Sequence, residues 1–194
     1  MSFKIIICVS KNFGFGNNNS IPWKIKEELN YFKVKTLTTE DKNKKNMVIM
    51  GRKTFESIIK IPSNKNGLKD RINVILSSDN NLKHKYENHD SVFVVADFNK
   101  LETLIEVYQK KNTIESYWII GGLSLVEYGI KKNYDLYLNK IYEDYDCDTF
   151  FDKRLLKGYE MVDVDLHYLY CNVKKKNVLV NYSILKKQTL FDHD

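Results

Sequence analysis

Met47-Val48-Ile49-Met50-Gly51-Arg52-Lys53-Thr54-Phe55-Glu56-Ser57-Ile58-Ile59 is an apolar run, a glycine and then a helical pattern. The run 47–50 reads as a strand buried on both faces, Gly51 ends it, and a helix over 54–59 is entered directly from the turn. A strand that feeds straight into a helix is the unit from which α/β folds with parallel sheets are built. The pattern recurs on either side. Residues 72–76 form a strand that meets Ser77-Ser78, and 116–120 form one that runs into Gly121-Gly122 and a helix from Ser124. A strand over 91–95 precedes an amphipathic helix over 98–110, with Leu101, Leu104, Ile105 and Tyr108 on one side. Residues 3–9 and 134–142 are further strands, the latter with Leu136, Leu138 and Tyr142 as candidates for one face. The end of the chain is different. Residues 159–168 and 177–186 are longer strands joined through Lys174-Lys175-Lys176, an antiparallel hairpin. The expected architecture is a single α/β domain over 1–186, a central mixed, mostly parallel eight-stranded sheet with flanking helices and that hairpin, followed by a frayed tail over 187–194. The Lys/Asn-rich stretches 38–46, 60–70 and 79–90 read as polar loops.

The totals narrow the class. A chain of 194 residues suits one well-packed domain and is short for two. No apolar run approaches a membrane span, and the N-terminal apolar run is too short for a secretion signal. Three cysteines, Cys8, Cys147 and Cys171, show no metal spacing, so reduced thiols in a cytoplasmic compartment are expected, with no metal. A net charge of +6 suits a polyanionic small molecule. The basic residues are spread through loops and form no single stripe, which argues against a nucleic-acid footprint.

One acid is out of place. In Ile21-Pro22-Trp23-Lys24-Ile25-Lys26-Glu27-Glu28-Leu29-Asn30-Tyr31-Phe32, Pro22 suits the turn before a helix that runs from Lys24 to about Lys35. Ile25, Leu29 and Phe32 fall on one face, and Glu28 lies among them. Burial there raises a carboxyl's pKa, and such an acid is suited to proton transfer. Residues 10–20, with two glycines and three asparagines, form a loop free to move. Three strand ends open onto glycine, hydroxyl or basic residues: Gly51-Arg52-Lys53-Thr54, Ser77-Ser78 and Gly121-Gly122-Leu123-Ser124. Ligands of open α/β sheets collect at such ends, and helix N-termini attract phosphate. None matches the G-x-G-x-x-G fingerprint, which disfavours an ordinary dinucleotide fold.

Together these segments resemble the dihydrofolate reductase family, from Phe3 to about Lys186. The most specific pieces are Ile21-Pro22-Trp23 with Glu28 and Tyr31-Phe32, the run from Asn46 to Ile58, Leu68 to Ser78 around Arg71, Ile119-Ile120-Gly121-Gly122, and Asp148-Thr149-Phe150-Phe151. The resemblance implies NADPH-dependent reduction of 7,8-dihydrofolate to tetrahydrofolate, with hydride to C6 and a proton to N5 of the pterin. It implies Glu28 as the catalytic acid that bonds the pterin, with Trp23 holding an ordered water beside it. Ile6, Ile7, Phe32 and Ile58 would wall the substrate pocket, and Arg71 would grip the carboxylate of the glutamate tail. Asn139 stands where the family usually has a threonine that bonds the acid; its amide can still donate to Glu28.

For the cofactor, the resemblance implies Cys8 offering backbone groups to the nicotinamide carboxamide. The loop containing Gly14, Phe15, Gly16 and Ser20, with Ile21, would close over the ring. Arg52, Lys53, Ser77 and Ser78 would recognise the 2′-phosphate side, with Gly51, Thr54, Ser57 and Leu76 beside them. Ile120, Gly121, Gly122, Leu123, Ser124 and Leu125 form the third turn, and the resemblance adds Thr149 to the cofactor-binding residues. The family joins its glycine pair by a cis peptide, which Gly121-Gly122 matches. The family often has a tyrosine where this chain has Val126. Two rivals are weighed. Reductases of riboflavin synthesis share the fold but lack the Pro-Trp…Glu and Leu-x-x-Arg features; an inactive nucleic-acid-binding relative would not need Glu28, Trp23 and Arg71 together. The expected partner is dihydrofolate alone, without nucleic acid or membrane, and the family leaves open a fusion to, or work beside, thymidylate synthase.

Overall fold

The computed structural model describes residues 2–188. In chain order its elements are β1 (Ser2–Val9), β2 (Gly14–Gly16), α1 (Lys26–Leu37), β3 (Lys45–Gly51), α2 (Arg52–Ile59), β4 (Arg71–Leu76), α3 (Asn80–Lys85), β5 (Val92–Val95) and α4 (Phe98–Lys111). Then come β6 (Ile114–Gly121), α5 (Leu123–Lys131), β7 (Asp135–Ile141), β8 (Thr149–Phe150), β9 (Tyr159–Cys171) and β10 (Lys176–Lys187). The sheet is mixed and eight-stranded, in the order β5-β4-β3-β6-β1-β7-β10-β9, and β2 pairs with β8 separately. The described residues divide into two compact units, 2–3 with 30–126, and 4–29 with 127–188.

In the first unit β5, β4, β3 and β6 run parallel. Val48, Met50, Val74, Ile75 and Val92 are fully buried, as expected for β-rich apolar runs covered on both sides. The register sets Gly51 beside Leu76 and Met50 beside Gly121, so three strand ends finish level with one another. Helix α4 buries Leu101 and Ile105, starts on Asp97, whose side chain accepts from the Lys100 N–H at 2.8 Å, and ends at left-handed Asn112. The stretch expected to be a loop over 79–90 contains α3. Its start is a side-chain cap: Asp79 Oδ1 accepts from the N–H groups of Asn81 and Leu82 at 2.9 and 3.2 Å.

In the second unit β1 pairs parallel with β7, and β7, β10 and β9 follow antiparallel. The hairpin turn falls at 172–175, closed by the Lys175 N–H on the Cys171 carbonyl at 2.8 Å. Residues 10–20, expected to be loop throughout, contain a short strand. β2 lies within them, and the N–H groups of Asp148 and Phe151 bond the carbonyls of Gly16 and Phe13 at 3.0 and 2.9 Å. Lys187, expected in the tail, belongs to β10, and the remainder of that tail from 189 lies outside the described residues.

Helix α1 corrects two expectations. It begins at Lys26, because Ile25 is held in a backbone bridge to Cys171 and the Lys24 carbonyl accepts from Asn172 N–H at 2.9 Å. Leu29 is not on the buried face; it is 50% exposed, and the inward positions are Glu28 and Thr36, with Phe32 half-buried. The Gly121–Gly122 peptide is trans, since no described peptide is cis. The turn is made instead by positive φ angles of 157° and 90° at the two glycines, a conformation open to residues without a Cβ.

Candidate active site

In the second unit, Glu28 sits in the first turn of α1 and is only 4% exposed. The parallel register of β1 and β7 puts Cys8 beside Asn139, and both side chains reach it. Asn139 Nδ2 donates to Glu28 Oε1 at 3.0 Å, and the Cys8 thiol donates a second hydrogen bond. Burial pushes the Glu28 pKa up, and the two donors pull it back only in part. These partners are neutral, so the carboxyl is held by hydrogen bonds and not by an ion pair. Burial also pushes the Cys8 thiol well up, and the facing Glu28 charge adds to the effect. Ile6 and Ile7 are buried in β1. Trp23 is buried against Tyr145, edge to face at 5.5 Å between ring centroids. The Tyr145 hydroxyl and Cys171 Sγ lie 3.1 Å apart behind it. Trp23 Nε1 and Asn139 Oδ1 are buried without protein partners, one donor and one acceptor left for a ligand or water.

The loop residues of this unit surround β2. Gly14 is packed so closely that a Cβ would strike Cys147 Sγ and come within 2.7 Å of Ser10 Oγ. Phe15 and Gly16 are half-buried, Ser20 and Ile21 exposed. Thr149 is half-buried in β8, its hydroxyl donating to Asp148 at 2.8 Å.

In the first unit the three strand ends form a cradle. A Cβ on Gly122 would come within 3.3 Å of Gly51 N, and one on Gly121 within 2.9 Å of Thr54 Oγ1. The backbone therefore comes close at the N-termini of α2 and α5, where N–H groups point outward. Arg52 and Lys53 are exposed on the first turn of α2, and Arg52 reaches Glu56 at 2.8 Å. Ser77 and Ser78 follow β4, with Leu76 half-buried at its end and Ser57 half-buried on α2. Ile120 and Leu123, half-buried, and the exposed Ser124 flank the glycine pair, while Leu125 is buried beneath. Val126 is also fully buried, so the departure from tyrosine there places a core residue. A cradle of close-set backbone with two exposed cations and two hydroxyls fits a phosphorylated dinucleotide such as NADPH.

Arg71 opens β4 and is 5% exposed. Its Nη1 donates to Thr36 Oγ1 at 2.8 Å and its Nε to the Lys69 carbonyl at 3.1 Å. Asn46, beside Arg71 in the register, braces this from behind through the Thr36 carbonyl at 3.1 Å. Burial lowers the Arg71 pKa to about 10, which keeps it protonated at neutral pH. Two bonds thus fix the orientation of the fork. Phe32 and Ile58 are half-buried in the same unit. Thr36, Asn46, Tyr145 and the Cys8 side chain were missed by sequence reasoning. Only Thr36, a hydroxyl one turn beyond Phe32 on α1, left a readable signal.

Comparison with known proteins agrees. The family model "Dihydrofolate reductase" matches residues 2–179. A dihydrofolate reductase of Drosophila melanogaster is 37% identical over 153 residues, 78% of this chain and 79% of its own length. One of Heliothis virescens is 31% identical over 189 residues, 91% of this chain and 98% of its own. One of Sus scrofa is 34% identical over 160 residues, 81% and 82%. A cradle suited to a phosphorylated dinucleotide, a secluded acid and these matches lead to one conclusion: the chain belongs to the dihydrofolate reductase family.

Proposed function

We propose that Glu28 is the acid through which this chain reduces dihydrofolate, with Asn139 and the Cys8 thiol setting its proton affinity. The family reduces 7,8-dihydrofolate to 5,6,7,8-tetrahydrofolate, and this chain is an NADPH-dependent oxidoreductase of one-carbon metabolism. When bound, NADPH supplies the hydride that goes to C6. The observation that carries the role of Glu28 is its seclusion among neutral donors. A carboxyl with a raised pKa can hold a pterin amino group and ring nitrogen and favour protonation at N5. Trp23 Nε1, buried and unpartnered, suits a water bridging to that proton path. Ile6, Ile7, Phe32 and Ile58 wall the pterin, and Arg71 takes a carboxylate of the glutamate tail. Arg52, Lys53, Ser77 and Ser78 bind the 2′-phosphate, the glycine turns the pyrophosphate, and Gly14, Phe15, Gly16, Ser20, Ile21 and Thr149 exclude water at the nicotinamide end. The folding unit proposed for this work is 1–186. Among the described residues no helix is long and apolar enough to cross a membrane; cytoplasmic action beside, or joined to, a thymidylate synthase is part of the same proposal.

Loss of nicotinamide absorbance on mixing with NADPH and dihydrofolate tests the activity. In that assay Arg52→Ala with Lys53→Ala should cut the preference for NADPH over NADH about tenfold or more, a loss of roughly 1.4 kcal/mol or more. An unchanged ratio removes both residues from the phosphate site.

Asn139→Ala should shift the pH profile of the chemical step to higher pH. The Asn139 bond lowers the Glu28 pKa, so its loss lets burial raise it further and keeps the proton on the acid into more alkaline solution. Single-turnover rates across the neutral range read this directly; a profile unmoved or shifted to acid pH separates Asn139 from the acid.

A further inference from the structure

β3 and β6 run parallel but fall out of step at one point. Lys45 stands opposite Ile114 and Met47 opposite Tyr117, so Asn46 alone faces two residues of β6, Glu115 and Ser116. Such a bulge is rare between parallel strands. It takes backbone groups out of the ladder and re-aims side chains. Here those side chains serve the end of α1. Glu115 Oε2 accepts from the N–H groups of Glu40 and Asp41, each at 2.9 Å, which pins the chain as it leaves the helix. Asn46 is 1% exposed and uses its amide in three directions. Its Oδ1 accepts from the Ser116 N–H at 3.1 Å, and its Nδ2 donates to the Thr36 and Thr38 carbonyls at 3.1 and 2.9 Å. Those carbonyls lie at and just past the C-terminus of α1, where no helical N–H reaches them.

The residue held by its carbonyl turns its hydroxyl to Arg71. Thr36 Oγ1 donates to the Phe32 carbonyl at 2.9 Å and accepts from Arg71 Nη1 at 2.8 Å. A hydroxyl has one proton, and this one is committed to the helix, so toward Arg71 the oxygen acts as an acceptor. The Lys69 carbonyl, which accepts from Arg71 Nε, is neutral as well, so neither bond cancels the guanidinium charge. On the side of β3 away from the bulge, the register sets Asn46 beside Arg71 itself. We propose that Asn46 is a positioning residue for recognition of a ligand carboxylate. Seated in the bulge, it fixes the last turn of α1, and through the Thr36 hydroxyl it fixes the plane of the Arg71 fork. This role rests on the reading of Arg71 as the residue that takes the glutamate tail. Two parallel N–H···O bonds to a carboxylate depend on that plane, and a fork turned out of it keeps one bond and loses the other. Water satisfies exposed helix ends elsewhere. Water is not anchored to β6, however, and cannot hold Thr36 in register with Arg71.

Steady-state kinetics with dihydrofolate, and with a dihydropterin lacking the glutamate tail, test this, with NADPH affinity by fluorescence titration as the check on folding. Asn46→Ala should raise the KM for dihydrofolate about tenfold, the loss of one charged hydrogen bond, with kcat little changed. The tailless substrate should be turned over as by the parent. Thr36→Val should behave in the same way, and Thr36→Ser, which returns the hydroxyl, should restore the parental KM. In an Arg71→Lys background neither Asn46→Ala nor Thr36→Val should raise KM further, because both act through a fork already lost. If Asn46→Ala does not fold, Asn46→Ser, whose single short hydroxyl cannot span both carbonyls, takes its place. Equal losses on both substrates, or a further rise in the Arg71→Lys background, make Asn46 a support of the fold and overturn the proposal. A tail defect in Arg71→Lys that the Asn46 variant does not share overturns the positioning role alone. An Arg71→Lys protein that favours the tailed substrate as the parent does overturns the reading of Arg71 and the positioning role with it.

Discussion

Glu28→Gln should lower the chemical step at neutral pH by about 10²–10⁴-fold while the protein still folds and binds NADPH. The amide keeps the shape, still accepts from Asn139, and cannot hold or lose the proton. The same substitution should make the protein more stable. A carboxyl whose pKa is higher folded than unfolded adds no penalty at low pH, where both states keep the proton. As pH rises past the unfolded value, the unfolded chain ionises first and gains an advantage that grows until the folded value is passed. Wild type therefore carries a stability cost at neutral pH that the Glu28→Gln variant lacks. Thermal melts of both proteins should separate at neutral pH and converge in acid, below the ordinary carboxylate range. Parental turnover by the variant would remove Glu28 from the chemistry; a gap in melting temperature that widens in acid would contradict its raised pKa.

Arg71→Lys should raise the KM for dihydrofolate by about 10- to 100-fold, the loss of one charged hydrogen bond of roughly 1.5–3 kcal/mol, with kcat little changed. Lysine keeps the charge but not the fork that Thr36 and the Lys69 carbonyl aim. A control substrate separates this from general damage. A dihydropterin without the glutamate tail should be turned over equally by both proteins. If the variant loses that substrate too, Arg71 supports the fold and not the tail.

Much of this was legible because strand ends and glycines are local signals. The runs at 47–50 and 72–76 and the pair Gly121-Gly122 mark where parallel strands stop, and the register brings those stops level. The oddness of Glu28 on an apolar face was readable, and its burial follows it. Leu29 misled because helical periodicity does not say which of two adjacent stripes meets the sheet; Glu28 and Thr36 face inward and Leu29 does not. α3 was hidden because its stability rests on the cap at Asp79 and not on an apolar face. β2 and β8 were hidden because their pairing joins segments far apart in the chain, which no local pattern records. The Cys8 thiol and the Asn46–Thr36–Arg71 chain are likewise long-range contacts between side chains with ordinary local readings.

The placement of Cys8 also bears on chemical durability. The residue is half-buried, with its thiol turned to Glu28. Attack requires a thiolate, and burial with a carboxylate neighbour keeps the sulfur protonated at physiological pH. The carboxyl proposed to handle protons for turnover thus also passivates the sulfur beside it, and alkylating agents should consume other thiols first.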